Sequence, residues 1–311
     1  NYAEFSIAGT VIDRQYGLFM NIWNELTTPL SLNNGVDLLT GKSSCIYGLE
    51  VNADHTTEYY VPLNFWFTQN PALYFPLLAL QHQKISLCIQ LRPFSECIIY
   101  DHTSPPTTVS ISDSFLLAEY IYLHDFERSC LMNKPSLTYV ISQTQDLSPI
   151  TVSANEQVRK VNLDFNHPCK ELLWVLVEST SEANNDWFNY SKRVDNTEYV
   201  PTILKKAGIY LDGHERISIL PESYFRLIQP KMYHSYIPNK HIYCFSFAND
   251  PEATSSNDLY KYSGSLNFSR IDNPILHLEF EGNPECKLYV FTHNYNFLIF
   301  KNGMAGVAYL S

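Results

Sequence analysis

The chain has 311 residues, with 21 Lys or Arg against 32 Asp or Glu, so its formal net charge is −11. This acidity excludes a dedicated binder of nucleic-acid backbones, because such binding depends on basic side chains that release counterions from phosphates. Charged residues make up 17% of the chain, against about 25% in ordinary soluble proteins, while aromatic residues reach 14%. This balance predicts large surfaces that are buried in cores or between subunits.

Short segments of alternating apolar and polar residues run through the first half of the chain, and this period of two indicates β-strands. The segments predict strands near residues 4–8, 10–13, 58–67, 85–92, 96–100 and 115–123. Within residues 85–92 the odd positions are apolar, which predicts one buried face. One helix is predicted between Phe19 and Leu26, ending before Pro29, because apolar residues recur there at helical spacing.

Strand patterns continue through the second half. Alternation predicts strands with one buried face at residues 160–166, 243–247 and 276–280. A continuous apolar run bounded by Glu171 and Glu178 predicts a strand that is covered on both faces. Two further strands are predicted at residues 288–291 and 297–300. Turn-forming residues predict loops at residues 32–35, 103–106, 182–186 and 249–251.

Many short strands joined by long loops predict an all-β sandwich or barrel architecture. Residues 143–155 are polar and lack a strong pattern, so we place a domain boundary there. The predicted domains are residues 1–147 and 148–311, each close to the usual domain size of about 150 residues. A faint similarity between residues 70–91 and 221–247 does not by itself distinguish duplication from coincidence.

The cysteines are odd in number and irregularly spaced, without any Cys-x-x-Cys pair: Cys45, Cys88, Cys97, Cys130, Cys169, Cys244 and Cys286. This usage predicts free thiols in a reducing compartment and no disulfide framework or zinc site. Residues 59–83 carry no formal charge, but their prolines and side-chain amides are unsuited to a bilayer helix. We therefore expect no transmembrane segment.

The sequence carries no recognisable catalytic, cofactor or metal-binding motif, so none of these sites is predicted. Gly35 and Gly41-Lys42-Ser43 are separated by one residue too many for a phosphate-binding loop. Neither a G-x-S-x-G elbow nor an H-E-x-x-H helix occurs. His241 and Cys244 are three residues apart on a predicted strand, where they would point to opposite faces and not share a metal.

Carboxylates and sequons leave carbohydrate chemistry open. A β-sandwich glycosidase needs two carboxylates across a groove. Four acidic residues lie on or near predicted strands: Glu119, Asp125, Glu279 and Glu281. Solvent-exposed strand faces are the simpler explanation for these residues. Sequons begin at Asn189 and Asn267, and they would be glycosylated only in a secreted protein. Their modification stays open.

A series of motifs in a fixed order gives the chain a more specific interpretation. The first half contains Ile12-Asp13-Arg14-Gln15-Tyr16-Gly17, Ile22-Trp23-Asn24-Glu25-Leu26-Thr27, Val61-Pro62-Leu63-Asn64-Phe65-Trp66-Phe67, Asn70-Pro71, Pro76-Leu77-Leu78-Ala79-Leu80-Gln81 and Glu119-Tyr120-Ile121-Tyr122-Leu123 with Glu127-Arg128. The second half contains Phe165-Asn166-His167-Pro168, Lys170-Glu171-Leu172-Leu173-Trp174-Val175, Gly213-His214-Glu215-Arg216 and Tyr224-Phe225-Arg226-Leu227-Ile228-Gln229-Pro230. The most distinctive are Ser263-Gly264-Ser265-Leu266-Asn267-Phe268-Ser269-Arg270-Ile271-Asp272-Asn273, Asn294-Tyr295-Asn296 and Gly303-Met304-Ala305-Gly306. With them, the chain resembles the double jelly-roll major capsid proteins of nucleocytoplasmic large DNA viruses from its first residues to its last.

This resemblance implies a fold of two tandem antiparallel eight-stranded jelly rolls and makes the internal similarity a duplication. It implies a structural protein without catalytic residues or cofactors. Three chains would form a pseudo-hexagonal capsomer, and such capsomers would tile an icosahedral shell. The implied partners are other copies of the chain and minor capsid proteins on the inner face. The implied location is a virion capsid that is assembled in the host cytoplasm.

Three departures from the family pattern keep alternatives open. Strands expected upstream of residue 1 are missing, residues 302–306 alter the usual closing motif, and Ser129-Cys130 replaces the basic residues that usually follow Arg128. One alternative is a minor or vertex-associated capsid paralogue of the same fold. Another, from a different class, is a carbohydrate-binding or carbohydrate-cleaving β-sandwich. Without upstream strands, we also expect residues 85–91 to be uncovered and residues 1–311 alone to be poorly soluble.

Overall fold

Three antiparallel sheets and a helical layer form the structure, a computed structural model that describes residues 1–41, 58–69, 73–93, 96–97, 110–111, 113–183, 186, 188–192, 202–252, 262–282 and 285–309. Strands β1 to β14 span Tyr2–Ile7, Thr10–Tyr16, Ile85–Gln90, Leu137–Asp146, Ile150–Val152, Val158–Asn162, Pro168–Glu178, Leu204–Leu211, His214–Pro221, Tyr243–Ser246, Leu266–Asn267, Ile275–Phe280, Cys286–Lys301 and Met304–Val307. Helices α1 to α6 span Gly17–Thr27, Leu30–Thr40, Trp66–Gln69, Asp125–Met132, Ser179–Ala183 and Gln229–Tyr233. Two 3₁₀ turns, Leu77–Ala79 and Phe268–Arg270, and a π-helical turn, Tyr224–Ile228, complete the described elements.

The second half of the chain folds as a sandwich of two sheets. In the larger sheet the order is β10-β7-β13-β14, with β11 also paired to β7 and with β4 and β5 paired to β13. The smaller sheet has the order β6-β12-β8-β9. Alternate residues of both sheets meet in one apolar core, in which Trp174 and Leu176 from β7 pack with Ile209 from β8 and Leu276 and Leu278 from β12.

Strand β7 is covered on both faces, as the continuous apolar run predicts. Its even-numbered residues enter the sandwich core, while Leu173, Val175 and Val177 pack on the other side against helix α1. The helix contributes its predicted apolar stripe from Phe19 to Leu26, and it ends at Thr27 before Pro29, so the helix prediction is confirmed. Glu171, which bounds the apolar run in the sequence, is itself fully buried inside β7.

The three-stranded sheet of the first half has the order β2-β1-β3. Its apolar face forms a second core with Phe65 and Trp66, and this core also receives Leu298 and Phe300 from the far end of β13. Strand β13 is therefore one continuous strand of 16 residues that reaches both cores. The prediction of two separate strands at 288–291 and 297–300 is wrong, because the residues between them are polar but stay in the ladder with β4 and β7.

Two tight hairpins are encoded by dipeptides that end in glycine. Asn302 and Gly303 connect β13 to β14, and Asp212 and Gly213 connect β8 to β9, all four with positive φ. Positive φ at both central residues defines the type I′ turn, whose twist matches that of paired strands and which favours Asn-Gly and Asp-Gly. The carbonyl of Gly303 also accepts hydrogen bonds from the backbone N–H groups of Gln81 and His82, which fixes the last hairpin against the first half of the chain.

Several expected elements of the first half differ from the structure. Residues 58–65 are not in a strand, and α3 follows them, because Phe65 and Trp66 fill the core as side chains without pairing their backbone. Residues 115–123 belong to no strand or helix of the described structure. Residues 32–35 lie inside helix α2, which begins after Pro29 and ends at Gly41 in the left-handed conformation, an arrangement that sequence reasoning took for a loop.

The remaining strand predictions have mixed outcomes. Residues 85–90 form β3, and of its predicted buried face only Leu87 packs on a core. Ile85 and Ile89 are exposed, which agrees with the expectation that residues 85–91 are uncovered. Residues 96–97 are not in a strand, and residues 98–100, 103–106 and 184–185 lie outside the described residues. The polar stretch 143–155 contains the end of β4 and all of β5, so the division between residues 147 and 148 falls in their connection and stays a prediction.

Candidate functional site

A buried polar stretch of β13 separates the two apolar cores. Going along alternate residues, Leu288 and Val290 lie in the sandwich core, while Leu298 and Phe300 lie in the core of the first half. The residues between them on the same alternation are fully buried but polar: Thr292, Asn294 and Asn296. We call this stretch and the polar side chains bonded to it the seam. Of these three, Asn296 is hydrogen-bonded to β4 and to residue 309, whereas Thr292 Oγ1 and the side-chain amide of Asn294 have no hydrogen-bond partner among the described residues.

Asn296 links three segments across the seam. Its Nδ2 donates to Gln143 Oε1 on β4 at 2.8 Å and to the carbonyl oxygen of Tyr309 at 2.8 Å, and its Oδ1 accepts from the N–H of Tyr309 at 3.3 Å. Gln143 in turn donates through Nε2 to the carbonyl oxygen of Ile12 on β2. Hydrogen bonds through the side chains of Asn296 and Gln143 therefore connect β2, β4, β13 and the segment after β14.

Asp13 is the ionisable group of the seam. Its Oδ1 accepts from the backbone N–H of Thr144 at 2.9 Å, and its Oδ2 accepts from Gln15 Nε2 at 2.8 Å. Gln15 Nε2 also donates to the carbonyl oxygen of Asn64 at 2.8 Å. Burial disfavours the carboxylate more than these bonds favour it, and the pKa of Asp13 rises from 3.8 to about 7. The seam thus holds a carboxyl group that titrates near neutrality.

A buried lysine lies beside the seam. The ammonium of Lys170 on β7 donates to Ser142 Oγ at 3.1 Å and lies 5.1 Å from the ring centre of Tyr295, a cation–π distance. Burial lowers the pKa of Lys170 to about 8, although the neighbouring Glu171 favours the charged form. The lysine joins β4, β7 and β13 at the point where the halves meet.

Four ionisable side chains meet between α1 and the sandwich, and we call them the Glu171 cluster: Glu171, His234, Glu252 and His293. His234 lies between two carboxylates, with Nε2 3.0 Å from Glu171 Oε2 and Nδ1 2.8 Å from Glu252 Oε1. His293 Nδ1 lies 3.7 Å from the second oxygen of Glu171. The side chains of Glu171 and His234 are both fully buried. Such a group is stable only when its charges compensate one another.

Burial and mutual attraction set opposite charge states for the two histidines. Burial opposes the charge on His234, but Glu171 and the other partners outweigh it and raise the pKa of His234 well above 6.5. Burial likewise opposes ionisation of Glu171, but His234 and His293 lower its pKa to about 2. For His293, burial dominates and, with the charge of Lys170, lowers the pKa to about 4. At neutral pH His234 is therefore charged and His293 is neutral.

A different kind of surface lies between residues 115 and 126, which we call the apolar segment. Residues 115–123 form neither strand nor helix, and α4 begins at Asp125. Tyr122 is 92% and Phe126 80% exposed, and the segment carries seven large exposed apolar side chains: Phe115, Leu116, Leu117, Tyr120, Ile121, Tyr122 and Phe126. Monomeric soluble proteins rarely expose contiguous apolar surface of this kind, which marks an interaction site.

The other residues singled out from the sequence are dispersed. Glu119 is exposed in the apolar segment, Asp125 is in the first turn of α4, Glu279 is half-buried on β12 and Glu281 lies 3.8 Å from Lys205 Nζ. His241 and Cys244 are both buried, and across the described ranges no group of three or more His, Cys, Asp or Glu residues is placed to hold a metal ion.

The sequon asparagines are engaged in local hydrogen bonds. Asn189 donates to Asp186 Oδ2 at 2.8 Å and accepts from the N–H and the hydroxyl of Ser191, while Asn267 accepts from the N–H of Ser269. Whether either sequon is glycosylated stays open. Six cysteines carry free thiols, and Cys45 lies outside the described residues. No helix in the part of the chain that the structure describes is long and apolar enough to cross a membrane.

Sequence reasoning missed the roles of the seam and of the Glu171 cluster. Asp13, Gln15 and Asn296 stand in the motifs quoted above, but their spacing gives no indication that hydrogen bonds through Gln143 connect their strands. A usable signal was the presence of polar residues in the middle of strands whose neighbours are apolar. Glu171 carried the same signal and was interpreted as a boundary.

Comparison with known proteins identifies the family. A model of the family described as "Large eukaryotic DNA virus major capsid protein" matches residues 127–306, and a model described as "Major capsid protein N-terminus" matches residues 1–124. The chain is 30% identical to the major capsid protein of Pyramimonas orientalis virus, covering 98% of this chain and 75% of the relative. It is 26% identical to the major capsid protein of Phaeocystis pouchetii virus, covering 98% of this chain and 80% of the relative.

Solved structures show the same fold. The structure described as "PBCV-1 virus capsid, quasi-atomic model" matches with a TM-score of 0.77 at 24% identity, covering 100% of this chain and 83% of that one. The fold is accordingly the all-β double jelly roll, and the relatives are structural proteins without an enzymatic role. Together, the two sheet cores joined through one strand, the structural match and the family models show that the chain belongs to the major capsid proteins of large eukaryotic DNA viruses.

Proposed function

We propose that this capsid protein forms homotrimers that act as pseudo-hexagonal capsomers and tile an icosahedral shell. The observation that carries the proposal is the apolar segment, with seven large apolar side chains exposed between residues 115 and 126. Burying a side chain of this size contributes about 1.5–3 kcal/mol, so covering the segment would supply substantial association energy.

A second copy of the chain is the occupant that the charges favour. Each copy carries a formal net charge of −11, so charged faces of two copies repel. Residues 115–123 carry only one charged side chain, Glu119, and therefore offer a surface through which copies of like charge can meet. The relatives are named major capsid proteins, and a shell assembled mainly from one protein requires contacts between copies.

Light scattering on the full chain tests the proposal. We expect three times the chain mass, with an interface above about 2,000 Å² as in obligate assemblies. Leu117→Asp and Tyr122→Asp should each shift the population toward monomer, whereas Met232→Asp, at an exposed position on α6, should leave it unchanged. A stable monomer of the wild-type chain at micromolar concentration would contradict the trimer. If neither variant of the apolar segment changes the trimer population, the trimer interface lies outside this segment.

Further parts of the proposal concern partners and location. We propose contacts with minor capsid proteins on the inner face, no direct binding of nucleic acid, and assembly in the host cytoplasm. The acidic balance of 21 basic against 32 acidic residues supports the absence of phosphate binding. A minor or vertex-associated paralogue remains the second candidate, since residues 302–306 depart from the family's closing motif. Quantitative mass spectrometry of purified particles separates the two by copy number.

A further inference from the structure

We propose that the Glu171 cluster is an acid-sensitive clamp, which holds helix α1 and residues 234–236 on the sandwich at neutral pH and releases them when His293 becomes protonated. The clamp is a regulatory device within one chain, and it does not depend on how copies of the chain assemble.

The position of the cluster gives it this function. His293 lies on β13 and Glu171 on β7, both on the face of the sheet that α1 covers. The indole of Trp23 on α1 packs edge-on against the His293 ring at 4.6 Å between ring centres, and it also contacts the ring of His234 at 6.3 Å. Any charge placed on His293 therefore arises directly beneath the helix.

The same cluster fastens the segment that follows α6. Glu252 accepts hydrogen bonds from the backbone N–H and the hydroxyl of Ser235, next to His234. The N–H of Tyr236 donates to the carbonyl oxygen of Leu26 at the end of α1, at 3.0 Å. Opening the cluster would consequently loosen α1 and residues 234–236 together.

The groups around His293 disfavour a second proton. Among the described residues, Glu171 on β7 is the carboxylate within 4 Å of His293, and it already faces the protonated His234. Lys170, also on β7, adds a positive charge nearby. Glu252 is held by His234 and Ser235, and the thiol of Cys244 beside His234 is buried and neutral. The residues of α1 that touch His293 are the aromatic Phe19 and Trp23. A proton on His293 would therefore be a buried positive charge that shares its nearest carboxylate with His234.

The magnitude follows from linkage. His293 has a pKa of about 4 in the closed state, against 6.5 when exposed, so acid favours the open state. Between pH 7 and pH 5 the titration of His293 alone should raise the opening equilibrium roughly 20-fold. His234 opposes this by up to roughly fourfold, because its raised pKa keeps it protonated in the closed state, whereas in the open state it takes up most of its proton within this interval. Glu171 stays ionised in the closed state, with a pKa of about 2, so the net rise is roughly sixfold.

Hydrogen exchange measured by mass spectrometry on the full chain tests the clamp. After correction for intrinsic exchange rates, wild-type peptides that contain α1 or residues 234–236 should open roughly sixfold more at pH 5 than at pH 7. Peptides from β8 should not change. In His293→Asn the rise should disappear, and in the matched control His214→Asn, at an exposed position on β9, it should persist.

Each outcome of the exchange experiment supports or overturns the proposal. A rise that persists in His293→Asn would overturn the proposal, and so would a wild-type rise that is equal in β8 or absent from α1. If His293→Asn does not fold, the comparison of α1 with β8 in the wild-type chain still tests whether the opening is local and acid-dependent.

Discussion

Replacing Asp13 by Asn should make the protein more stable at alkaline pH than at acid pH, relative to wild type. In the folded protein the pKa of Asp13 rises from 3.8 to about 7, chiefly because the carboxyl group is buried. Between these values the folded state keeps a proton that the unfolded chain has lost. Its contribution to stability is therefore fully present below pH 3.8 and is lost as the pH rises toward 7. Asn carries no such proton and has no such loss.

The expected size follows from the two pKa values. A change from 3.8 to about 7 corresponds to about 4 kcal/mol in the free energy of unfolding between pH 4 and pH 8. The substitution also costs about 1–2 kcal/mol at every pH, because Gln15 Nε2 loses a carboxylate acceptor and its amide must reorient. Asp13→Asn should thus be less stable than wild type at pH 4 and more stable at pH 8.

Urea unfolding at fixed protein concentration measures the effect, since association would otherwise alter the apparent stability. Asp212→Asn is the matched control: Asp212 lies exposed in the β8–β9 turn, where its Oδ1 accepts from the N–H groups of Asp272 and Asn273. We expect this control to change stability equally at both pH values. If Asp13→Asn also shows the same difference at pH 4 and pH 8, the account of a buried, protonated carboxyl group in the seam is refuted.

Two other predictions concern thiols and the last hairpin. Brief alkylation of the native protein should modify the exposed thiols of Cys88, Cys97 and Cys130 well before the buried thiols of Cys169, Cys244 and Cys286. Peptide masses measure the modification, and equal rates for the two groups would contradict the packing. Gly303→Ala should lower the thermal stability of the protein by more than Gly213→Ala does. Both glycines have positive φ, but only at Gly303 would an added Cβ come within 3.0 Å of Gln81 and His82. Equal losses would show that the hairpin does not press on residues 81–82.

The sequence allowed better predictions for the second half of the chain than for the first. Strand β7 and helix α1 are predicted by patterns of side chains that face a core, and both faces of β7 are covered as expected. Residues 58–65 and 115–123 have comparable patterns but form no strand. A strand requires a partner for its backbone, and the partner is a property of the whole fold.

The candidate site depended still more on distant contacts. Asp13, Gln143 and Asn296 are brought together from positions far apart in the chain, as are Glu171, His234 and His293. None of these residues stands at a spacing that indicates a shared site. The family resemblance carried by the ordered motifs predicted the double jelly roll and the capsid role, but it assigned no function to the polar side chains between the cores.

The sequence by itself determined the family and the local structure where side-chain patterns match a core face, as in strands β7 and β12 and helix α1. Asn302-Gly303 likewise favours a tight turn. Only the tertiary structure decided the charge states. Asp13, Lys170 and His293 have ordinary pKa values in an extended chain, and they change because folding removes water and brings specific charges near them. Burial also distinguishes two glutamates of β7: Glu171 is fully buried beneath a helix, whereas Glu178 lies at the partly exposed end of the strand.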